Sequence, residues 1–329
     1  MIKIPDRMKV IDLSQPGGPE ALVPGERALP ALPAGHVLVK VAAAGVNGPD
    51  LMQRRGLYPA PKGASDLLGL EISGHVAAVG ESVDTWRVGD ALCALTNGGG
   101  YADYCAVDAR HCMPVPAGVA LEDAAGLPET FFTVWSNVFL GAGLKAGETL
   151  LVHGGAGGIG ATAIQLGKAF GAKVFATESP EDRCDFCRAL GADAAIDYRT
   201  EDFVEVLRAA GGADVILDVV GGPYVERNIK AARHDGRIVQ IAFALGSKVA
   251  IDLMPIMLKR LTYTGSTLRT RPDAFKAQVA RDLVEKVWPK IAAGAIRPST
   301  FKVFPLAEAA QAHRLMESAG HSGKILLRP

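Results

Sequence analysis

The feature that most restricts what this chain can fold into is a glycine-rich run, LLVHGGAGGIGATAIQL. Gly155, Gly157 and Gly160 follow the spacing G-x-G-x-x-G between an apolar strand and an apolar helix. The first glycine of this pattern permits a tight turn, the second lets backbone approach a pyrophosphate, and the third lets helix and strand pack closely. The start of the helix, which contains Gly158 and Ile159, offers N–H groups to phosphate oxygens. The run therefore predicts a dinucleotide-binding site.

The segments on either side of this run predict two domains that differ in secondary structure. From residue 148 onward, apolar strands alternate with helices, which is typical of a doubly wound parallel α/β sheet. Before about residue 125, short β-branched runs are separated by glycine and proline, which indicates a barrel-like β domain. An amphipathic helix at about 273–292 and two short strands, FKVFP and GKILLRP, are expected to return to that first domain. We predict a β-barrel domain over 1–125, closed by 267–329, and a Rossmann domain over 126–266.

Composition narrows the class of function. The 329 residues carry 35 Lys plus Arg and 35 Asp plus Glu, so there is no broad basic field of the kind that binds nucleic-acid backbones. Five cysteines are sparse and odd in number, which argues against a disulfide framework. Apolar runs stay short of the ~20 residues that a membrane span needs, and the first 13 residues carry charges instead of a signal-peptide core. The sequence predicts a cytoplasmic protein that binds neither nucleic acid nor membrane.

The end of the strand after the glycine-rich run, AKVFATESPEDR, bears on which dinucleotide binds. Glu178 lies 18 residues past Gly160, about where an acidic residue holds the ribose hydroxyls of NAD. Ser179 and Arg183 follow, and a hydroxyl beside a guanidinium suits the 2′-phosphate of NADP. Both cofactors stay open at this point. So does the alternative that Glu178 faces solvent and Arg183 is only an exposed helix residue.

Segments in order over nearly the whole chain resemble the medium-chain dehydrogenase/reductase superfamily. They are AAAGVNGPDLMQRRGLYPAPKGAS, LLGLEISGHVAAVGE, NGGGYADY, LPETFFTVWSNVF, HGGAGGIGATAIQLGKAFGA, LGADAAIDYRTEDF and LDVVGG. Within that superfamily they are most similar to zinc-free quinone oxidoreductases, in the p53-inducible quinone reductase-like branch. The resemblance implies an α/β protein with a GroES-like β-barrel catalytic domain, a Rossmann domain and NADP(H) as the cofactor. Relatives carry T-A-G-S followed by a lysine where this chain has T-E-S-P-E-D-R, so Glu178 keeps NAD(H) as the alternative.

The resemblance also separates this chain from the zinc-dependent members. Those members place a Cys ligand where this chain has Asn47 and a His ligand where it has Leu70. Neither an amide nor a leucine side chain can replace thiolate and imidazole as zinc ligands. We therefore expect catalysis without a metal. A quinone suits such a site, because it is electron-poor and gains aromaticity on reduction, so that positioning against the nicotinamide supplies much of the catalysis.

Site residues follow from the resemblance. It places Tyr58 in the active site, where a phenol could protonate the reduced acceptor, the alternative being a tyrosine that only packs a loop. It places Asn47 near both nicotinamide and acceptor. Thr133 would face the nicotinamide or simply cap a helix start, and Tyr198 would border the adenosine phosphate or form a strand-to-helix turn. Further residues implied to line the cofactor pocket are Phe243, Ala244 and Thr267.

Together these inferences predict an NADPH-dependent enzyme that transfers hydride to a quinone. The first alternative keeps the fold but reduces the carbon–carbon double bond of an alkenal, enone or enoyl compound. The second is a dinucleotide-binding structural or RNA-associated protein with little turnover. The run LKRLTYTGSTLR could form an exposed edge strand, and pairing of two such edges predicts a homodimer. Cys184 and Cys187 form a C-x-x-C without a second pair, so we expect a structural role for them.

Overall fold

The computed structural model describes residues 4–329 and divides them into two compact units. The barrel unit comprises the residues up to Phe132 together with Arg269–Pro329, and the parallel-sheet unit comprises Thr133–Leu268. The domain limits predicted from the sequence stay a prediction. The described part of the chain contains no helix long and apolar enough to cross a membrane.

The barrel unit begins with seven strands and a short helix that lies between the third and fourth of them. These elements and the helix that follows are β1 (Arg7–Leu13), β2 (Leu22–Ala28), β3 (His36–Val46), α1 (Gly48–Arg54), β4 (Glu71–Val79), β5 (Ala91–Leu95), β6 (Tyr104–Asp108), β7 (Cys112–Pro114) and α2 (Pro128–Val134). β1 and β2 form an antiparallel pair of their own. In β3, buried valines and alanines dominate both faces, as expected for a central strand that pairs on both sides.

The parallel-sheet unit alternates strands and helices. Its elements are β8 (Thr149–His153), α3 (Gly158–Ala169), β9 (Lys173–Glu178), α4 (Glu181–Ala189), β10 (Ala194–Asp197), α5 (Phe203–Ala209), β11 (Ala213–Asp218), α6 (Tyr224–Ala231), β12 (Ala232–Gln240), α7 (Met254–Lys259) and β13 (Thr262–Gly265). All six strands are parallel, in the order β10-β9-β8-β11-β12-β13. β8, β9 and β11 are almost entirely buried, as the apolar runs of the sequence predict.

The carboxyl-terminal segment completes the barrel unit. It contains α8 (Asp273–Asp282), α9 (Trp288–Ala292), β14 (Thr300–Pro305), α10 (Ala309–Glu317) and β15 (Lys324–Arg328). A π-helical stretch, Leu283–Val287, joins α8 to α9, so the predicted helix at 273–292 is one helical run with an irregular middle. The larger sheet has the order β14-β15-β3-β4-β5-β7, with β6 also paired to β3. β14 and β15 of the carboxyl-terminal segment thus belong to the same sheet as β3, β4 and β5. The predicted α/β fold class is confirmed.

The pairing of β15 with β3 positions the candidate site. Ile325 lies opposite Val46 in this antiparallel pair, which brings Lys324 beside the start of α1. Asn47 is the N-cap of α1 and follows the last residue of β3 directly. One register thus joins two residues that are 277 positions apart in the sequence. A shift of one residue in this pairing would turn the lysine to the other face of the sheet.

Candidate active site

The glycine-rich loop joins β8 to α3 with the geometry that its sequence predicts. Gly157 is the N-cap of α3, with φ −70° and ψ 167°, and a Cβ there would meet its nearest atom only at 3.5 Å. Gly160 is tightly enclosed, because a Cβ would lie 2.1 Å from the carbonyl oxygen of Gly154. Gly155 is enclosed as well, at 2.7 Å from the sulfur of Cys187. The loop therefore leaves space at the helix start, where an anion can approach, and none at the other two glycines.

Glu178 ends β9 directly beside this loop. Its side chain is buried, with Oε2 accepting from the Ala156 amide at 2.8 Å and Oε1 accepting from the Ser179 amide at 3.1 Å. Nε of Arg183, in α4, lies 3.3 Å from the same carboxylate. The alternative that Glu178 faces solvent is therefore wrong. The carboxylate of Glu178 thus lies close to both Ser179 and the guanidinium of Arg183 at the end of β9.

The other predicted cofactor residues of the parallel-sheet unit follow the ends of its strands. Tyr198 comes directly after β10 and is 40% exposed. Phe243 and Ala244 follow β12, with Phe243 48% exposed, and Thr267 follows β13. Since the carboxyl ends of parallel strands share one edge of a sheet, these residues lie along the edge that carries the glycine-rich loop. Their contact with a dinucleotide stays a prediction.

Thr133 is not at a helix start. It is the second-last residue of α2, and its carbonyl oxygen accepts from the side-chain amide of Asn137 at 2.9 Å. Thr133 is a buried residue, 9% exposed. The helix-cap alternative is therefore wrong, because a cap must precede the first turn. Its contact with the nicotinamide stays a prediction.

A buried polar cluster in the barrel unit surrounds Asn47. Oδ1 of Asn47 accepts from Lys324 Nζ at 2.6 Å, and its Nδ2 donates to Glu71 Oε1 at 2.9 Å. Lys324 Nζ also lies 2.5 Å from Glu71 Oε1, and Glu71 is completely buried. These contacts define which end of the amide is oxygen, because the ammonium can only donate and the carboxylate only accept. One N–H of the Asn47 amide is left over from them and can donate to a ligand.

Asp50 braces the loop that carries Asn47. Its Oδ2 accepts from the Asn47 amide at 2.9 Å, and its Oδ1 accepts from the Gly69 amide at 3.0 Å. Burial raises the pKa of Asp50 to about 6, although both backbone amides and the charge of Lys324 oppose that shift. These two hydrogen bonds join Asp50 to both Asn47 and Gly69, so Asp50 holds this loop in position.

Tyr58 lies beside a buried guanidinium. The guanidinium carbon of Arg269 is 5.6 Å from the centre of the Tyr58 ring, within the range of a cation–π contact. Partial burial, followed by the charge of Glu129, raises the pKa of the phenol. The hydroxyl of Tyr58 is therefore protonated at neutral pH, as a proton donor must be.

Glu129 adds a carboxyl group to this cluster. It is 8% exposed, and its backbone amide donates to Glu71 Oε2 at 2.8 Å, near the start of α2. Burial, followed by the charges of Glu71 and Asp50, raises the pKa of Glu129 to about 8. Glu129 is therefore mostly protonated at neutral pH, which makes it a second group in the cluster that holds a proton.

Sequence reasoning predicted Asn47 and Tyr58 but not the charged residues around them. Glu71 and Glu129 stand in segments that carried the resemblance, and Lys324 stands in GKILL. The sequence did contain one signal, which is that charged residues sit inside otherwise apolar runs. Such residues are seldom fully buried unless they are paired.

The five cysteines are all buried and free. Cys184 and Cys187 lie in α4, where burial is the main cause that raises the pKa of their thiols, to about 11 and about 12. A thiol that stays protonated is a poor nucleophile and a poor metal ligand. Their placement agrees with the structural role expected from the sequence.

Comparison with known proteins places the chain in a family. A model of the zinc-binding dehydrogenase family matches residues 158–285, and a model of the alcohol dehydrogenase GroES-like domain matches residues 33–117. The quinone oxidoreductase of Mus musculus is 28% identical over 333 residues, which cover 97% of each chain. The chain belongs to the medium-chain dehydrogenase/reductase superfamily, and its class is oxidoreductase.

Other relatives and solved structures bear the names of several different enzymes. A mycocerosic acid synthase-like polyketide synthase of Mycobacterium tuberculosis is 31% identical over 89% of this chain, which spans only 14% of that protein. The structure of an NAD-dependent alcohol dehydrogenase superposes with a TM-score of 0.87, at 29% identity over 98% of this chain and 100% of the other. The structure of a mycobacterial protein complexed with NADPH superposes with a TM-score of 0.86, at 27% identity over 98% of this chain and 100% of the other. The structure of the CurK enoyl reductase superposes with a TM-score of 0.85, at 28% identity over 98% of this chain and 99% of the other.

The residues around Asn47 do not fit the zinc ion that the family description implies. Asn47 Oδ1 already accepts from the Lys324 ammonium, and that ammonium also contacts the carboxylate of Glu71. Leu70, the other position expected to bear a ligand, is buried and has no donor atom. Within residues 4–329, no group of three His, Cys, Asp or Glu side chains is arranged to hold a metal ion. A positive charge is present here, but it is an ammonium.

Proposed function

We propose that this chain is an NADPH-dependent quinone reductase that works without a metal. The observation that carries the proposal is the barrel-unit cluster, in which Tyr58 and Asn47 offer hydrogen-bond donors beside the buried cations Arg269 and Lys324. Such donors stabilise an acceptor oxygen that becomes negative when hydride arrives. The resemblance to the p53-inducible quinone reductase-like branch, and the identity with the mouse quinone oxidoreductase, support a quinone as that acceptor.

Each unit has a distinct part in this reaction. The glycine-rich loop and the start of α3 hold the pyrophosphate of the dinucleotide, which supplies the hydride. The free N–H of Asn47 orients its ligand, and the Lys324–Glu71 pair keeps that amide from turning. The quinone takes up the two electrons of the hydride, and the resulting anion takes a proton from Tyr58, which regains one from solvent.

A second candidate function has its own support. Similarity to a polyketide synthase segment and to the CurK enoyl reductase favours reduction of a conjugated double bond, in which hydride goes to carbon and an enolate oxygen becomes negative. The donors of the barrel unit serve that oxygen equally well. The two candidates therefore share a site and differ in acceptor.

Purified protein with NADPH and a panel of acceptors tests these candidates. We expect rapid NADPH oxidation with ortho- and para-quinones and slower oxidation with 2-alkenals. Oxidation driven by alkenals or enoyl thioesters but not by quinones would favour the second candidate. Dinucleotide binding without turnover across the whole panel would favour a binding protein. The Tyr58→Phe variant is expected to lower kcat about 100-fold while dinucleotide affinity is kept.

The cofactor assignment rests on the family and is opposed by one residue. Arg183 suits a 2′-phosphate, whereas the buried carboxylate of Glu178 repels one. We propose NADPH, in keeping with the resemblance and with the NADPH complex of one structural neighbour. A higher kcat/KM with NADH than with NADPH would overturn this choice.

We also propose a homodimer through β13. This strand is the edge of the parallel sheet, and all four of its residues are exposed. Three apolar side chains of α7 are exposed too, with Met254 at 60%, Met257 at 70% and Leu258 at 60%. Pairing of two edges would cover both features. A monomeric mass in solution at micromolar concentration would contradict this proposal.

A further inference from the structure

Arg269 is a buried cation that forms no ion pair with any acid among residues 4–329. Its side chain belongs to a residue only 6% exposed, and its hydrogen-bond partners are neutral oxygens. Nε and Nη2 donate to the carbonyl oxygen of Asn97 at 3.1 and 2.5 Å, and Nη1 donates to Gln53 Oε1 at 2.7 Å. Among residues 4–329, none supplies a carboxylate that forms an ion pair with this guanidinium. Three of its five N–H groups are thus used, and two remain.

Lys276 places a second cation beside the first. It is 1% exposed, and its Nζ donates to Asn97 Oδ1 and to the carbonyl oxygen of Arg269, both at 2.8 Å. It too lacks an ion-pair partner in the described part of the chain. Asn97 therefore joins two buried cations through its backbone and side-chain oxygens.

Two uncompensated buried cations are costly, because each has lost its hydration without gaining an opposite charge in contact. Asp50 and Glu129 act on Arg269 through space, although neither contacts it. Burial raises the pKa of Glu129 to about 8, so this carboxyl group adds little negative charge at pH 7. The local balance leaves room for a negative charge supplied from outside the protein.

The position of Arg269 indicates which negative charge from outside the protein it would bind. Its guanidinium lies beside the ring of Tyr58, the group assigned above as proton donor. We propose that Arg269 forms an oxyanion subsite, which binds the acceptor oxygen that becomes negative on hydride transfer. This inference rests on the proposed function and identifies the acceptor class as one whose reduction creates an anionic oxygen.

The step balances for either acceptor. Hydride adds its proton and two electrons to the quinone, and the resulting hydroquinone monoanion carries its negative charge on oxygen. Arg269 donates hydrogen bonds to that oxygen, and Tyr58 then transfers its proton to give the neutral hydroquinone. With an enone, hydride adds to carbon, the enolate oxygen takes the place of the quinone oxygen at Arg269, and the final proton goes to carbon.

Substitutions at Arg269 test the kinetic consequence. We expect Arg269→Gln to lower kcat with 1,4-benzoquinone about 100-fold, the size of effect seen when one oxyanion donor is removed. The KM for NADPH should change less than twofold. Arg269→Lys keeps the charge and should recover part of the loss. The matched control is Arg271→Gln, since Arg271 is exposed and its guanidinium lies 3.8 Å from the centre of the Phe275 ring.

Binding of benzoate supplies a readout that needs no turnover. Its carboxylate stands in for an anionic oxygen on a flat ring, so it should raise the Tm of the NADP⁺-loaded wild-type protein and of Arg271→Gln, but not of Arg269→Gln. Arg269→Gln must keep a cooperative melt without benzoate; if it does not, Arg269→Lys provides the comparison, with a reduced benzoate shift. A wild-type protein that benzoate does not stabilise, or equal stabilisation of both Arg269 variants and wild type, would overturn the subsite.

The two proposals fail in distinguishable ways. Quinone turnover in Arg269→Gln within twofold of wild type would reject the oxyanion subsite and leave quinone reduction standing. Benzoate stabilisation that depends on Arg269, in a protein that reduces no acceptor of the panel, would support the anion subsite and reject the proposed reaction.

Discussion

The glycine-rich loop and the buried polar cluster of the barrel unit are both candidate ligand sites, but the chain builds them in opposite ways. The loop is one continuous segment in which missing side chains create space for a ligand. The cluster gathers charged side chains from segments far apart in the sequence, and Asn47 and Lys324 alone are 277 positions apart. Backbone sterics act within a few residues, whereas charge compensation depends on how strands and helices are registered.

The difference also decides how each site fails. An added methyl group at Gly160 collides with backbone, which cannot move without moving the strand or the helix. A removed charge in the cluster leaves its partner buried and unpaired, which is a loss of stability even where nothing collides. The loop should therefore be sensitive to size and the cluster to charge.

The largest expected effect is that of Gly160→Ala. Its methyl group would lie 2.1 Å from the Gly154 carbonyl oxygen, so the loop must shift and dinucleotide affinity should fall at least a thousandfold, about 4 kcal/mol. Gly157→Ala is the matched control, because its methyl group would meet the nearest atom at 3.5 Å. Isothermal titration with NADPH and thermal melts separate the two. The control should keep its Tm and lose only part of its affinity; equal affinity in both variants would contradict the steric account.

Removal of the ammonium from the cluster is expected to have the next largest effect. Lys324→Met leaves the carboxylate of Glu71 fully buried without its cation, so the free energy of unfolding should fall by about 3–5 kcal/mol. Lys302→Met, on the neighbouring strand β14, changes an exposed lysine and should stay within about 0.5 kcal/mol. Urea denaturation measures both. A Lys324→Met variant as stable as wild type would mean that Glu71 finds another partner.

The contrast explains how much of the molecule the sequence could predict. The glycine spacing and the alternation of strands and helices are local or periodic patterns, and the structure has both. Glu178 was placed at the right strand end by the same kind of reasoning, because its distance from Gly160 in the chain is short. What the sequence left open there was only the direction in which its side chain points.

The cluster could not be predicted in the same way. Lys324 meets Asn47 because Ile325 lies opposite Val46, and no local pattern specifies that register. Arg269 and Tyr58 also meet, although they are 211 positions apart in the sequence. Thr133 illustrates a smaller error: its segment was recognised as helical, but the helix begins at Pro128 instead of near Thr133. Apolar periodicity identifies elements, but it does not say which charged side chains share an interior.

Glu129→Gln tests whether the cluster is governed by charge. Burial raises the pKa of Glu129 from 4.5 to about 8, so the folded protein binds a proton that the unfolded chain has released over that range. The contribution of this group to stability is complete below about pH 4.5 and is lost as the pH rises toward 8, at no more than about 1.4 kcal/mol per pH unit. Glutamine stays neutral, so the variant should gain stability relative to wild type between pH 5 and pH 8.

Urea denaturation at several pH values measures this gain. Glu81→Gln, which changes an exposed glutamate in the same unit, should follow the wild-type curve throughout. A constant difference between Glu129→Gln and wild type from pH 5 to pH 8 would mean that Glu129 is ionised in the folded protein. The effect of Glu129→Gln on turnover is a separate measurement, since glutamine keeps a hydrogen-bond donor where the carboxylic acid stood.

The smallest expected effect concerns Glu178, whose charge lies beside the glycine-rich loop and bears on the choice between NADPH and NADH. Glu178→Gln keeps an acceptor for the Ala156 amide but removes the negative charge that lies 3.3 Å from Arg183. A 2′-phosphate would then meet a cation without the opposing carboxylate, so the ratio of kcat/KM for NADPH to that for NADH should rise about tenfold, or about 1.4 kcal/mol. Arg188→Gln, in the same helix, is the control, because its guanidinium is occupied by Glu181 and Asp185. If the ratio stays unchanged in Glu178→Gln, the charge of Glu178 does not select the dinucleotide, and this region is not sensitive to charge in the way that the cluster is.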